Sequence, residues 1–329
     1  VAGISSYTVL GFVGFGIANL LGAVLAVAWG LTLTDRLITF LLPPLAFLAV
    51  VYLARRIVKH ERIVFYETTV AAVASVAIGA LIAGAPVARC LDVTVIGIGT
   101  FLVFGRLGCF SVACCHGRPA RFGVVYGPAH VKLGLWLRWS GRRLWPVQLV
   151  ESAASGVLVV IAIVVGWGAP GVPTLIYVVG YGLCRFALEI VRGDSARPQA
   201  LGLSEAQWTA LATLVACSLC WPHVLTIGPA LVVGGASIAL IALRHRRALW
   251  SPAHLREVDT VLRAGGSTRL GLAISCHGLP DGRRDWVLSS THPAWSSVSA
   301  RRLATAMWSH YELVEGRLAG VIHVITDVR

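Results

Sequence analysis

The sequence predicts an α-helical polytopic membrane protein, with about 7–8 transmembrane helices and a small C-terminal α+β soluble appendage. Three observations carry this. Of 329 residues, 57% are hydrophobic and only 13% charged, and the mean hydropathy is +0.77, whereas an ordinary soluble domain is about one quarter charged. Stretches apolar enough to cross a bilayer, about 20 residues each, recur at roughly 5–30, 36–54, 66–84, 93–113, 147–167, 173–191, 205–221 and 228–243. From about Trp250 the apolar runs give way to mixed polar sequence, which sets a division into 1–249 and 250–329.

The net charge of +13 is carried mainly by loops between apolar runs. Anionic membrane lipid is the counter-charge this arrangement fits, and no basic face with interleaved aromatics marks a nucleic-acid partner. Of eight cysteines, Cys90, Cys109, Cys114, Cys115, Cys184, Cys217 and Cys220 lie in or beside the apolar runs, not in a secreted disulfide framework. The first run lacks a basic leader and a small-residue cleavage pattern, so it reads as a span and not as a signal peptide.

Taken in order, the first run opens on Ser5-Ser6-Tyr7 and is rich in Gly and Ala, which suits close helix packing. Pro43-Pro44 should kink or interrupt the second run unless neighbours satisfy the freed carbonyls. A basic loop with Arg55, Arg56, Lys59, His60 and Arg62 leads to Phe65-Tyr66-Glu67 at the mouth of the third, and a tight turn around Pro86 to Asp92 leads into the fourth. The loop 116–146 carries Arg118, Arg121, Lys132, Arg138, Arg142, Arg143, Trp136, Trp139 and Trp145, a composition that suits an interfacial amphipathic element. Pro146 opens the fifth run, and a polar loop with Asp194, Arg197 and Pro198 follows the sixth. Beyond the cluster Arg244-His245-Arg246-Arg247, the appendage reads as helix at 252–264 and 297–314 and as strand at Leu270–Cys276, Trp286–Ser290 and Ala319–Thr326. Its Cys276, His277, His292, His310 and His323 show no close metal-ligand spacing and read as surface or packing residues.

The chemistry-bearing residues gather in a few places. Arg106 stands near the end of the fourth run, where a guanidinium is costly unless paired or functional. Gly105 and Gly108 flank it and let a headgroup or a helix come close. Arg185, Glu189 and Arg192, at i, i+4 and i+7, share a helix face with Tyr181 one turn earlier. The stripe reads either as a structural ion pair or, with Arg106, as a clamp whose guanidinium forks match phosphate oxygens. Cys109, Cys114, Cys115 and His116 carry metal-ligand chemistry, but their spacing matches no C-x-x-C pair and adjacent cysteines make poor joint ligands, so no metal or other cofactor is expected. Gln148 and Glu151 enter the fifth run either as cap residues or as headgroup partners. Tyr7 and Tyr66 read as interface anchors or as site residues.

Several of these stretches together resemble the bacterial prolipoprotein diacylglyceryl transferases. The motifs are Ser6-Tyr7, Asp92 ahead of Gly105-Arg106-Leu107-Gly108-Cys109-Phe110, Cys114-Cys115-His116-Gly117-Arg118-Pro119, Pro146-x-Gln148-Leu149-x-Glu151, Tyr181-Gly182-x-x-Arg185-Phe186-x-x-Glu189-x-x-Arg192, and Leu201-Gly202-Leu203-Ser204 with Gln207. They stand in family order over about 1–220. The resemblance implies a multi-pass protein of the bacterial cell (inner) membrane that moves the diacylglyceryl group of phosphatidylglycerol to a prolipoprotein lipobox cysteine, releasing glycerol phosphate. It implies that Arg106 and Arg185 bind the phosphate, supported by Glu189 and Arg192, with His116 or Glu151 as base and with Tyr7, Gly105, Gly108, Gln148 and Tyr181 near the substrate. The alternative is a non-catalytic binder of anionic phospholipid that contacts a partner through 250–329.

The sequence departs from the family at three points. Tyr66-Glu67-Thr68-Thr69 replaces a His-Gly-Gly-Leu type motif, Cys109 stands where asparagine is frequent, and Trp145 replaces the histidine before Pro146. Orientation is read two ways. The charge count puts the basic loops, both termini and the appendage in the cytoplasm, while the resemblance puts the site and the loop 116–146 outside, and the second arrangement is adopted.

Overall fold

The computed structural model describes residues 5–58, 65–135, 139–193, 199–201, 203–221, 223–246, 249, 252–292, 295–316, 318 and 320–327. Lys59, His60, Arg62, Trp136, Arg138, Asp194, Arg197, Pro198, Gly202 and Arg247, named above, lie outside them. The chain packs as two compact units, one of Val1–Gly193 with Thr209–Val233 and one of Asp194–Trp208 with Gly234–Arg329.

In chain order the elements are α1 (Ser6–Ala28), α2 (Leu33–Val58), α3 (Phe65–Ala83), α4 (Val87–Ser111), β1 (Pro119–Val125), α5 (Pro128–Lys132), β2 (Arg143–Leu144), α6 (Val147–Gly166), α7 (Val172–Val191), β3 (Gln199–Ala200), β4 (Leu203–Ser204), α8 (Glu205–Cys220) and α9 (Val224–Arg246). The appendage follows with α10 (Pro252–Ala264), β5 (Gly266–Ser267), β6 (Leu272–Gly278), β7 (Arg284–Ser290), α11 (Ser297–Met307), β8 (Tyr311–Glu315) and β9 (Ile322–Asp327). Among the described residues seven helices, α1, α2, α3, α4, α6, α7 and α9, are long and apolar enough to cross a membrane. The stretch expected to span at 205–221 folds as the 16-residue α8. At about 1.5 Å per residue that is roughly 24 Å, short of a hydrocarbon core of about 30 Å.

The first unit is organised around α4, which packs against α1, α2, α3, α6 and α7 and contributes Cys90, Val93, Val95 and Ile96 to a core completed by Leu25, Ala26, Val76, Ala80, Val159, Ala162 and Tyr177. In lipid such packing depends on close backbone approach and on polar contacts between helices. Gly14 of α1 supplies the first, since a Cβ there would lie 2.6 Å from Phe104 Cβ. Ser152 and Ser155 of α6 supply the second, donating to the carbonyls of Val103 at 2.8 Å and Gly99 at 2.9 Å.

Four local expectations are corrected. Pro86 is the N-cap of α4, so Arg89 to Asp92 are helical and do not form a turn; a proline at a helix start forfeits only an N–H that would be unpaired anyway. Pro43 and Pro44 lie inside α2 and do not interrupt it, since the φ that proline fixes is compatible with a helix even though each proline forfeits a backbone donor. The loop 116–146 holds an antiparallel β1–β2 pair and the five-residue α5 in place of an amphipathic helix, and Gly123 admits the pair because a Cβ there would collide with the Leu144 carbonyl. The helix expected at 297–314 stops at Met307 and gives way to β8, where Tyr311 to Glu315 complete the ladder with β9.

The second unit contains a five-stranded antiparallel sheet in the order β5-β6-β7-β9-β8. Alternate residues Leu272, Ile274, Leu288 and Ile325 turn to one face, as the period of two requires, and pack with Val258 of α10 and Ala300, Leu303 and Ala304 of α11. Of the histidines, His277 and His310 are exposed, while His323 is fully buried, with Nε2 3.3 Å from Ser297 Oγ and the ring edge-on to Trp295. Burial lowers its pKa from the usual imidazole value, against a smaller opposing pull from Glu315. A depressed histidine pKa means that the unfolded chain takes up the proton first, so stability is lost as pH falls through the unfolded value near about 6.5. Amide hydrogen exchange in β7 and β9 of the full chain should therefore quicken, beyond its intrinsic pH dependence, between about pH 7.5 and about pH 5.5. His323→Gln should flatten that response.

Candidate functional site

Three helices deliver ionised groups to one place inside the apolar first unit. α4 brings Arg106 in its last turns, α6 brings Glu151 in its first turns, and α7 brings Tyr181, Arg185 and Glu189 along one face. Glu151 Oε1 lies 2.9 Å from Arg106 Nη2 and 3.8 Å from Arg185 Nε, and it accepts a 2.8 Å hydrogen bond from the Tyr181 hydroxyl. Arg185 Nη2 lies 2.9 Å from Glu189 Oε2, one helical turn on. Arg106, Glu151, Arg185, Glu189 and Arg192 are all buried. Isolated charges at such depth would cost several kcal/mol each, and the bridging carboxylate is what makes the paired arginines tolerable.

Two guanidiniums, Arg106 and Arg185, face two carboxylates, Glu151 and Glu189, and Arg192 lies within electrostatic range of them. Arg106 Nε and Arg185 Nη1 are buried with no hydrogen-bond partner among the described residues, and so is Gln148 Oε1. Buried donors without partners are rare in folded proteins. An anion with several acceptor oxygens would satisfy both guanidiniums.

The loop after α4 is tied to the same place. Gln148 Nε2 donates to the Cys114 carbonyl at 2.7 Å and approaches the Tyr126 hydroxyl at 3.4 Å. Burial pushes that phenol up to about 12, so it stays neutral and accepts. His116 to Arg118 run antiparallel to Val191 to Gly193: Gly193 N donates to the His116 carbonyl and Arg118 N to the Val191 carbonyl, with a bridge between Gly117 and Arg192. Gly117 allows this, because a Cβ there would meet the Trp145 carbonyl at 2.5 Å. His116 is buried, its ring edge-on to Trp139, and Nδ1 is 2.9 Å from the Gly117 carbonyl. A carbonyl only accepts, so Nδ1 carries the proton and the lone pair of a neutral ring is on Nε2.

Of the residues singled out from sequence, Arg106, Glu151, Tyr181, Arg185 and Glu189 form the charged centre. Gln148, His116 and Arg192 meet in the loop beside it. Tyr7 packs its ring on Gly108, where a Cβ would be 3.1 Å away, while a Cβ on Gly105 would meet nothing within 4 Å. Two contributors carry a weaker sequence signal. Tyr66 accepts from Arg185 Nε at 2.8 Å, although from sequence it could equally be an interface anchor. Asp92 accepts from Gly171 N, Thr174 N and Thr174 Oγ1 at 2.8–3.0 Å, so the α4 carboxylate caps the start of α7 and fixes the helix that carries Arg185. No spacing rule links those positions along the chain.

Beside the charged centre lies a shallow, almost wholly apolar groove of about 600 Å³ between α4 and α6, lined by Val103, Leu107, Leu149, Ala153, Gly156 and Ile161 among others. It starts next to Arg106 and Glu151 in the sequence and follows α6 from Leu149 to Ile161, which at about 1.5 Å per residue is about 18 Å.

Removing the bridge strands the buried Arg106, while Arg185 keeps Glu189 and Tyr66. Glu151→Ala should lower stability by about 3–5 kcal/mol, read as a lower thermal unfolding midpoint in detergent. An unchanged midpoint would show that Glu151 is not what holds the arginines.

A family model described as prolipoprotein diacylglyceryl transferase matches residues 3–222. A phosphatidylglycerol–prolipoprotein diacylglyceryl transferase of Clostridium tetani (strain Massachusetts / E88) is 28% identical over 138 residues, which are 39% of this chain and 51% of that relative. The chain thus spans about half the length of that relative.

Proposed function

Because this chain belongs to the prolipoprotein diacylglyceryl transferase family, we propose that it transfers the diacylglyceryl group of phosphatidylglycerol, or of another anionic phospholipid, to the cysteine thiol of a prolipoprotein lipobox. The reaction would take place in the bacterial cell (inner) membrane and release glycerol phosphate. The observation that carries the proposal is the pair of buried arginines from α4 and α7 that share one oxygen of Glu151 while each keeps an unsatisfied donor. The oxygens of a phosphodiester are acceptors that suit the unsatisfied donors of the two guanidiniums.

In the reaction the cysteine sulfur attacks the glycerol carbon that bears the phosphoester. A carbon–sulfur bond forms, the carbon–oxygen bond breaks, and its electron pair leaves with the phosphate oxygen. Arg106 and Arg185 would bind the phosphate and hold the charge that develops on it, in a low-dielectric site where such contacts are strong. Glu151 and Glu189 would fix the direction of the two forks. The thiol proton needs a base, and of the two candidates His116 fits better: Glu151 Oε1 already takes Arg106 Nη2 and the Tyr181 hydroxyl, while His116 directs Nδ1 to the Gly117 carbonyl and leaves Nε2 outside that bond. The groove along α6 suits one acyl chain, since about 18 Å accommodates an extended tail of ordinary length.

The test is transfer from phosphatidylglycerol vesicles to a lipobox peptide by the purified full chain. Arg106→Ala and Arg185→Ala should each reduce the rate by at least about 100-fold, the scale of losing one preorganised charge contact, with lysine substitutions recovering part of it. Activity unaffected by both alanine changes would remove the mechanism. Gly156→Phe, which fills the groove, should raise KM for the lipid more than it lowers kcat.

One observation favours the second reading, a binder of anionic phospholipid that contacts a partner through 250–329. Tyr66 stands in the segment that departs from the family pattern, and its hydroxyl engages Arg185, so the site is altered where the catalytic signature would be. Tight binding of phosphatidylglycerol vesicles with no transfer would favour that reading.

A further inference from the structure

The end of α4 folds three thiols onto one another. Val112 is the helix C-cap, and Ala113, the next residue, is left-handed at φ 57°. Cys114 N then donates back to the Cys109 carbonyl at 3.1 Å and Ala113 N to the Phe110 carbonyl at 3.2 Å. These two bonds are the paired bonds of a Schellman C-cap, which sets the side chain two residues past the cap against the one three from the helix end. Here those two side chains are Cys114 and Cys109. Along a continuing helix, positions five apart would point about 140° away from each other, so the cap brings the sulfurs together where helical spacing would separate them. Cys115, itself left-handed at φ 57°, swings its side chain back to the same side.

The result is that Cys109, Cys114 and Cys115 place their sulfur atoms within 4.8 Å of one another, with all three thiols free. The backbone holding them is pinned from outside by Gln148 Nε2 on the Cys114 carbonyl and by Gly193 N on the His116 carbonyl. Three thiolates around one ion with metal–sulfur bonds of about 2.3 Å stand about 4 Å apart, so small side-chain rotations complete the triangle. Adjacent cysteines are poor joint ligands when judged by spacing alone, but the left-handed turn at Cys115 changes their relative direction.

We propose that Cys109, Cys114 and Cys115 form a three-thiolate binding site for a divalent ion of the zinc group. Sulfur donors select this class over magnesium or calcium, which take oxygen. On binding, three thiols release three protons and the divalent ion acquires three sulfur bonds, giving a complex of net charge −1. The guanidiniums of Arg192 and Arg106 lie within electrostatic range of Cys115 and offset that charge. Among the described residues the cluster contains these three ligands, so a bound ion keeps a coordination position open to solvent on the side of the exposed Cys114. The site does not depend on the proposed lipid transfer.

The experiment is titration of the reduced full chain in detergent with cadmium and, separately, zinc. The expected result is one ion per chain, an ultraviolet thiolate-to-cadmium charge-transfer band, and release of about three protons per ion. Cys114→Ser, a near-isosteric change, should weaken binding by at least about 100-fold and remove part of the band, because even outer-shell losses cost about 10–100-fold. Cys109→Ser should do the same. A Cys217→Ser, Cys220→Ser, Cys276→Ser variant should bind as the parent does. Absence of the band in the reduced parent, or binding that survives Cys114→Ser and is lost in the variant of the other cysteines, would overturn the proposal.

Discussion

A single carboxylate oxygen, Glu151 Oε1, holds the first unit's charged centre together. Two guanidiniums from different helices and one tyrosine hydroxyl converge on it in surroundings that would otherwise exclude charge. This constrains everything nearby. α4, α6 and α7 must meet at one depth, and the helices must come close enough for side chains to reach. The glycines and serines along α4 and α6 make the approach possible, and Asp92, at the other end of α4, sets the start of α7 so that Arg185 falls at the right depth.

How much of this could be read from the chain differs from residue to residue. The spans were legible because about 20 consecutive apolar residues admit few other structures. Arg106 was legible because a cation in such a run demands a reason. The shared face of Tyr181, Arg185, Glu189 and Arg192 followed from helical spacing. What spacing could not give is which residues meet across helices. That Tyr66 reaches Arg185, and that Asp92 caps α7 from 79 positions away, are facts of tertiary packing. The turns show the same limit. Composition fitted a helix on to 314, but pairing with β9 decided Tyr311 to Glu315, and strand pairing is a relation between distant residues.

The cysteine loop shows the reverse case. Its residue types carry metal-ligand chemistry, but its spacing offers no C-x-x-C pair, and a vicinal pair is a poor chelate in extended or helical backbone. Two left-handed residues, Ala113 and Cys115, make that rule inapplicable. Left-handed backbone at non-glycine positions is uncommon and carries a steric cost, and two of the three described cases, Ala113 and Cys115, fall among the few residues that join α4 to the histidine loop. The local conformation, not the sequence interval, determines which side chains are neighbours.

Asp92 has one more consequence. It fastens α4 to the first turn of α7, and about 14 residues further along α4, roughly 21 Å at helical rise, Arg106 fastens the same pair again through Glu151 on α6. Two helices held at both ends cannot part like the blades of scissors. The apolar α4–α6 groove and the contacts that Tyr7 of α1 and Tyr66 of α3 make with Gly108 and Arg185 are not part of those two fastenings.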